Sequence, residues 1–272
     1  MPSYRVRSVA SLDAPELQPY RTLRRPVEHL KQGIFVAEGE KVVRRFLASN
    51  WPVVSLLVTR EWFETILPTL DEHRLDNVDV FLAEKKLLET IVGFPLHQGI
   101  MAVGRVPAEC SLEEMVTRIP SPHFLVALDG LVHAENVGVV VRNCAGLGVH
   151  GIVVSSTSAS PYLRRAVRNS MGGIFVVPVV HVQALASSLA GLRDRHGTNI
   201  IVADAAGERT IDEIDLRGNI CIVFGNENAG VSAEVEAVAT QRVRIPMDNA
   251  TDSLNVASAS AVMLFEARRQ RK

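Results

Sequence analysis

The sequence predicts an α/β protein built as two successive units, and three observations carry that prediction. Apolar stretches of strand length alternate with amphipathic stretches of helical spacing along most of the chain. Strand-like segments of the C-terminal half, such as FLVAL at 124–128 and GIVVS at 151–155, are apolar on both faces, the pattern of a parallel sheet covered by helices on each side. Between the two alternations, PAECSLEEMVTRIPSP at 107–122 carries prolines near both ends and reads as a linker. The expected units are a smaller N-terminal α/β unit over 1–106 and a parallel-sheet unit over 122–272, joined by a linker over 107–121.

The elements follow in order. In the first unit, EGEKVVRRFLAS (38–49), VVSLLVT (53–59), EWFETILPTL (61–70), VDVFLA (78–83), KKLLETIV (85–92) and GIMAVGRV (99–106) alternate helical and strand periodicity. The second begins with strand 124–128, helix 137–147, strand 151–155, helix 161–171 and strand 174–180. It continues with helix 183–195, strands 199–204 and 219–224, helix 232–239, strand 242–246 and helix 253–269.

Composition narrows the class. The chain has 272 residues, 47% hydrophobic and 22% charged, which suits one large or two ordinary globular domains. No uncharged run is long enough to span a membrane, and the first residues lack an apolar signal core. Cys110, Cys144 and Cys221 are scattered without a CxxC pair, and the eight histidines show no ligand spacing. The expectation is a cytoplasmic protein with no metal and no membrane partner. A net charge of −1 argues against a protein that coats nucleic acid over its whole surface. Basic runs at 21–25 (RTLRR), 44–45, 163–168 (LRRAVR) and 267–272 (ARRQRK) nonetheless offer local anion-binding faces, although any one of them is explained by a solvated helix face.

One candidate motif fails on context. Gly146-Leu-Gly148-Val-His-Gly151 matches GxGxxG, but a dinucleotide fingerprint follows a strand and opens a helix. Here the glycines end a helix and open a strand, so Gly146 or Gly148 is a helix C-cap.

In an open parallel sheet, ligands gather beyond the carboxyl ends of the strands, and three such ends carry unusual sequences. The first is LDGLVHAENVG at 128–138, which leads into the helix holding Arg142. Asn136 occupies an N-cap position and Asp129 a turn, but neither role accounts for an arginine among Val139, Ala145 and Gly146. A guanidinium keeps its charge, so burial is costly unless an anion meets it. The second is FGNENAGVS at 224–232, where Glu227 sits between Gly225 and Gly230 ahead of a helix that Ser232 can cap. Glu227 is the candidate carboxylate for Arg142. The third is IPMDNATDSLNVASASAVMLFEARR at 245–269. Ser253 can cap its helix, Val256, Met263 and Leu264 face the core, and Asn255 is a mediocre helix former better suited to a specific hydrogen bond.

Together these segments resemble the SpoU (TrmH-like) branch of the SPOUT RNA methyltransferases. The family's N-x-G-x-x-x-R-N-like first motif is matched by Asn136 to Asn143, and its G-x-E-x-x-G by Gly225, Glu227 and Gly230. Its I-P-M, short loop and S-L-N-V are matched by Ile245 to Met247 and Ser253 to Val256. One departure is Asn249, where many relatives place a glycine. FVAEGEKVV at 35–43 and HQGIMAV at 97–103 are similar to a ribosomal-protein-like RNA-binding domain often fused to this catalytic domain.

The resemblance implies a homodimer whose C-terminal segment threads a trefoil knot, an exception to unknotted topology. It implies transfer of a methyl group from S-adenosylmethionine to a ribose 2′-hydroxyl of RNA, with ribosomal RNA favoured over transfer RNA. Arg142, Asn136, Glu227, Ser253 and Asn255 are then the catalytic set. Arg142 would orient the ribose–phosphate and stabilise the oxygen as its proton departs, and Glu227 would orient Arg142 or an arginine of the partner. Ala203, Asp204, Ala205, Gly225, Asn226, Gly230, Ile245, Met247 and Leu254 are the cofactor set. Arg164, Arg165, Arg168 and the C-terminal basic residues are candidates for phosphate contacts. The competing expectations are a non-catalytic RNA-binding protein on the same scaffold, base in place of ribose methylation, and a small-molecule methyltransferase.

Overall fold

The computed structural model describes residues 4–72, 78–92, 98–108, 110–248 and 253–272. The chain divides into two compact units, residues 1–108 with 162–175 and residues 109–161 with 176–272.

The first unit is a five-stranded sheet of β1 (Arg5–Val9), β2 (Ile34–Glu38), β3 (Val53–Val58), β4 (Asp79–Ala83) and β5 (Ile100–Arg105), in the order β1-β4-β3-β5-β2. β1, β4 and β3 run parallel, and β5 is antiparallel to both its neighbours. Two of these strands escape period-two detection for opposite reasons. β1 is exposed along nearly its whole length, whereas β2 is buried at every position, so neither alternates. One face of the sheet carries Val36, Leu57, Phe81 and Met101 into a core with Tyr20 and Leu88.

Residues 162–175 belong to this unit although they lie between strands of the other in sequence. The expected helix over 161–171 is only Arg164–Asn169, and the expected strand over 174–180 begins at Val179, after a 3-10 turn at Gly173–Phe175. Ile174 and Phe175 are apolar because they pack, not because they pair in a sheet. Phe175 stacks on Phe46 at 5.3 Å between ring centroids, and Phe35 and Trp51 complete the aromatic cluster. Arg164 and Arg168 converge on the buried carboxylate of Glu38, Arg168 at 3.2 Å. These two arginines are therefore engaged within the protein.

The second unit holds β6 (Phe124–Asp129), β7 (Gly151–Ser155), β8 (Val179–Val182), β9 (Asn199–Ala203), β10 (Arg209–Thr210), β11 (Ile220–Gly225) and β12 (Gln241–Arg244). They form a seven-stranded sheet in the order β10-β12-β9-β11-β6-β7-β8, and every pairing is parallel. The stretch expected to be a linker contains the helix Leu112–Arg118, opened by a Ser111–Glu114 capping box. Its Met115 and Val116 are buried in the same core as Leu125, Val153 and Cys221, so the prolines bound an integral element. Cys144 and Cys221 are free and buried, which pushes both thiols up from their ordinary range. Among the described residues no helix is long and apolar enough to cross a membrane.

At the amino-terminal pole of this sheet, buried His123 places Nε2 2.8 Å from the Thr198 hydroxyl, and its amide donates to Asn219 Oδ1 at 2.8 Å. Burial, followed by the charges of His196, Arg271 and His150, lowers its pKa to about 4. The unfolded imidazole titrates near about 6.5. Between those values the unfolded chain binds more protons than the native one, so stability is lost as pH falls from about 6.5 toward about 4. Thermal melts across that window should show a shallower loss for His123→Gln than for wild type. Equal slopes would remove His123 from the acid response.

Candidate active site

The helix Ala134–Leu147 follows β6 and is shaped by its buried stripe. Val137, Gly138, Val140, Val141 and Cys144 recur at helical spacing and are buried, and Gly148, at φ 80°, closes the helix as a left-handed C-cap. At 100° per residue, Arg142 lies about 130° from the middle of that stripe. It is accordingly exposed, on a side shared with half-buried Val139 and Ala145 and exposed Gly146. This corrects the expectation of a buried guanidinium. Among the described residues no carboxylate pairs with Arg142, and the expected Arg142–Glu227 bridge is absent.

Glu227 has a different partner. Its Oε1 accepts from Asn136 Nδ2 at 2.6 Å. Asn136 is not the N-cap, because the helix already begins at Ala134 with His133 before it. Its amide lies in the first turn, free to reach the neighbouring loop.

That loop leaves β11 beside the loop leaving β6, since Gly225 and Asp129 are paired in register. Asn226 folds it back. Its Oδ1 accepts from the amides of Asn228 and Ala229 at 2.9 and 3.0 Å, and its Nδ2 donates to the Gly130 carbonyl at 2.8 Å. Backbone bonds between Asn226 and Gly230 close the turn. A Cβ on Gly225 would stand 2.3 Å from the Gly230 carbonyl carbon, so no side chain fits there.

The third segment is anchored by its own helix, Val256–Gln270. Asn255 is its N-cap, accepting from the Ala257 amide at 2.9 Å. Ser253, expected in that role, lies two residues earlier and is exposed. Asn249 lies outside the described residues. The helix packs on Ala134–Leu147, and Asn143 joins the two by donating to the Ala257 carbonyl and the Ser260 hydroxyl, both at 2.9 Å.

These loops enclose a cavity of about 700 Å³ at the carboxyl ends of β9, β11 and β12. It is lined by Ala203, Asp204 and Ala205, by Gly225, Asn226, Glu227 and Gly230, and by Ile245, Met247, Ser253, Leu254 and Asn255. Val202, Phe224, Val256 and Met263 supply an apolar floor. Asn136 and Arg142 do not line it; Asn136 reaches it through Glu227.

Two arginines on one face of β12 hold the far wall, and the sequence analysis missed them. Arg242 Nε donates to Asp204 Oδ2 at 2.8 Å, and Arg244 Nη1 donates to the carbonyls of Gly207 and Glu208 at 2.7 and 2.9 Å. Burial opposes ionisation of Asp204, but the Ala206 amide and Arg242 outweigh it and hold the carboxyl below its usual range. Both Asp204 oxygens are thus engaged in shaping the loop. The available signal was the i, i+2 spacing of the arginines around buried Val243.

Fold and site define a parallel α/β protein whose nucleoside-sized cavity lies beyond the strand ends. Residues 123–265 match the model of the SpoU rRNA Methylase family. An uncharacterized tRNA/rRNA methyltransferase of Mycobacterium tuberculosis (strain ATCC 25618 / H37Rv) is 31% identical over 97% of this chain and 92% of its own length. The 23S rRNA (guanosine-2′-O-)-methyltransferase RlmB of Vibrio vulnificus (strain CMCP6) is 31% identical over 76% of this chain and 85% of its own. The crystal structure of an AdoMet-bound rRNA methyltransferase from Sinorhizobium meliloti superposes with a TM-score of 0.82 at 26% identity, covering 97% of this chain and 98% of that one. The chain belongs to the SpoU rRNA methylase family. It is an RNA ribose 2′-O-methyltransferase with S-adenosylmethionine as methyl donor.

Asn143 bridges the two helices that carry the first and third motifs. Asn143→Ala removes both hydrogen bonds and should cost about 1–2 kcal/mol, read as a melting temperature lower by several degrees. An unchanged melt would show that small-residue packing alone holds the helices together.

Proposed function

We propose that this enzyme methylates a ribose 2′-hydroxyl of ribosomal RNA, working as a cytoplasmic homodimer with Arg142 at the reacting oxygen. The observation that carries the assignment of Arg142 is its exposed guanidinium, without a carboxylate partner among the described residues, on the helix whose first turn is tied to the cavity loop. The family match and the rRNA-modifying relative support the choice of RNA.

The cavity suits S-adenosylmethionine. Its apolar floor accepts a flat heterocycle, and Gly230, with nothing within 4 Å of where a side chain would stand, leaves backbone open to a ligand's polar edge. In this assignment Ala203, Ala205, Asn226, Ile245, Met247 and Leu254 surround the cofactor, and Asp204 shapes the loop that holds it. The donor supplies an electrophilic methyl group on a sulfonium. The protein must bring the ribose oxygen into line and stabilise charge as its proton departs. Arg142 acts by electrostatic stabilisation and by holding the ribose–phosphate rather than by taking the proton, because a guanidinium is a donor with no acceptor site. Glu227 restrains Asn136 and so the start of the helix that presents Arg142, while Ser253 and Asn255 form the rim. The trefoil knot belongs to the same proposal.

The dimer is supported by an apolar face on the last helix, where Val262 and Phe265 are 41% and 60% exposed. A second copy of the chain covers it. Phe265→Asp should convert the dimer to monomer in light-scattering chromatography; a dimer unchanged by it would place the interface elsewhere.

Labelled S-adenosylmethionine with separated transfer, small-subunit and large-subunit RNA tests the reaction. Label should enter one ribosomal RNA and survive alkali in a dinucleotide. Arg142→Ala should lower turnover by about 10²–10³-fold while cofactor affinity stays near wild type. Near-normal turnover would unseat Arg142, alkali-labile product would indicate base methylation, and label in transfer RNA would move the substrate class.

A further inference from the structure

Asp129 ends the strand that leads into the first motif, and the assignments above give it no part in the reaction. It is the last residue of β6 and is only 6% exposed. Among the described residues it has no cationic partner. Its Oδ2 instead accepts from the Ser232 amide at 2.7 Å and from the Ser232 hydroxyl at 2.8 Å. Burying a carboxylate without a cation is unfavourable unless hydrogen bonds compensate it. The two bonds from Ser232 supply that compensation and give the Asp129 carboxylate a task beyond its own turn.

Its position shows what that is. Ser232 is where the loop from β11 ends and the helix Ala233–Val238 begins. The same loop is tied at its start by Asn226 to the Gly130 carbonyl and at its tip by Glu227 to Asn136. All three ties run to the end of β6 or to the segment that follows it. Asn226 and Glu227 hold the near side, and without Asp129 the far end at Ser232 would be held by neither.

We propose that Asp129 is a positioning residue for methyl transfer: its buried carboxylate, through Ser232, holds the 226–231 loop in the shape that forms one wall of the cofactor cavity and keeps Glu227 on Asn136. It touches neither substrate nor cofactor. The proposal rests on the assignment of the cavity to S-adenosylmethionine.

The test uses the full-length enzyme with Asp129→Asn, Ser232→Ala, Ser232→Thr and the Asp129→Asn/Ser232→Ala double variant. S-adenosylmethionine binding is followed by calorimetry, and kcat and KM are measured well below each variant's melting temperature. Asp129→Asn should weaken cofactor binding and lower kcat, each by about tenfold, the scale of a lost charge-assisted hydrogen bond. KM for RNA should stay within about twofold, because a loop displaced at the cofactor wall leaves the RNA-binding surface intact. Ser232→Ala should shift the same two parameters in the same direction. Ser232→Thr, which keeps the hydroxyl, should recover most of that loss. The double variant should be no worse than the more impaired single, since both substitutions act on the one Asp129–Ser232 contact.

Folded single variants with wild-type cofactor affinity and kcat would overturn the proposal. So would losses that add in the double variant. If Asp129→Asn does not fold, the Ser232→Ala and Ser232→Thr pair decides: no difference between them overturns the latch. Wild type that fails to bind S-adenosylmethionine would instead overturn the cavity assignment, and the latch with it.

Discussion

The parallel pairing of β6 with β11, in the register that sets Asp129 beside Gly225, is the constraint on which the active site depends. Because both strands leave the sheet at the same level and in the same direction, their loops emerge side by side and meet. Every tie between the first and second motifs follows from that meeting: Ser232 on Asp129, Asn226 on Gly130, and Asn136 on Glu227. A shift of one residue in register would move each side chain to the opposite face of the sheet and dissolve all three. Gly225 is the price of the close return, since the chain doubles back onto it at Gly230.

The cations differ in the partners that each unit gives them. Arg164 and Arg168 are held by buried Glu38, Arg242 by Asp204, and Arg244 by two backbone carbonyls. Each of these cations orders a piece of chain through partners within the protein. Arg142 differs because the buried stripe of its helix turns it outward. A cation presented to solvent beside an ordered, carboxylate-bearing loop is available to a polyanion in a way that a neutralised one is not.

Periodicity located the strands that alternate or that are bounded by polar turns, which covers most of the second sheet. It failed where burial is uniform, as in β2, or exposure nearly so, as in β1, because then no contrast marks the two faces. It also misassigned Ile174 and Phe175, whose apolar character serves an aromatic cluster with Phe35, Phe46 and Trp51 rather than a strand. Proline-bounded composition suggested a linker at 107–121, yet the capping box at Ser111 and buried Met115 belong to an element of the second core.

The sequence by itself determined the α/β class, the order of the second sheet's main elements and the three motif-bearing strand ends, because these are local properties of spacing, glycine placement and capping chemistry. Family resemblance, resting on Asn136 to Asn143, Gly225 to Gly230 and Ile245 to Val256, carried the activity and the cofactor. Only the tertiary structure decided which partner each polar side chain takes. It gave Glu227 to Asn136 rather than Arg142, made Asn255 rather than Ser253 the helix cap, and turned Arg142 outward. The reason is physical: helix start and phase are set by which apolar residues the core accepts, and a hydrogen bond forms with whatever group the fold brings within about 3 Å. Residues such as Asp129 and Ser232, more than a hundred positions apart in the chain, acquire a common task only when two strands pair.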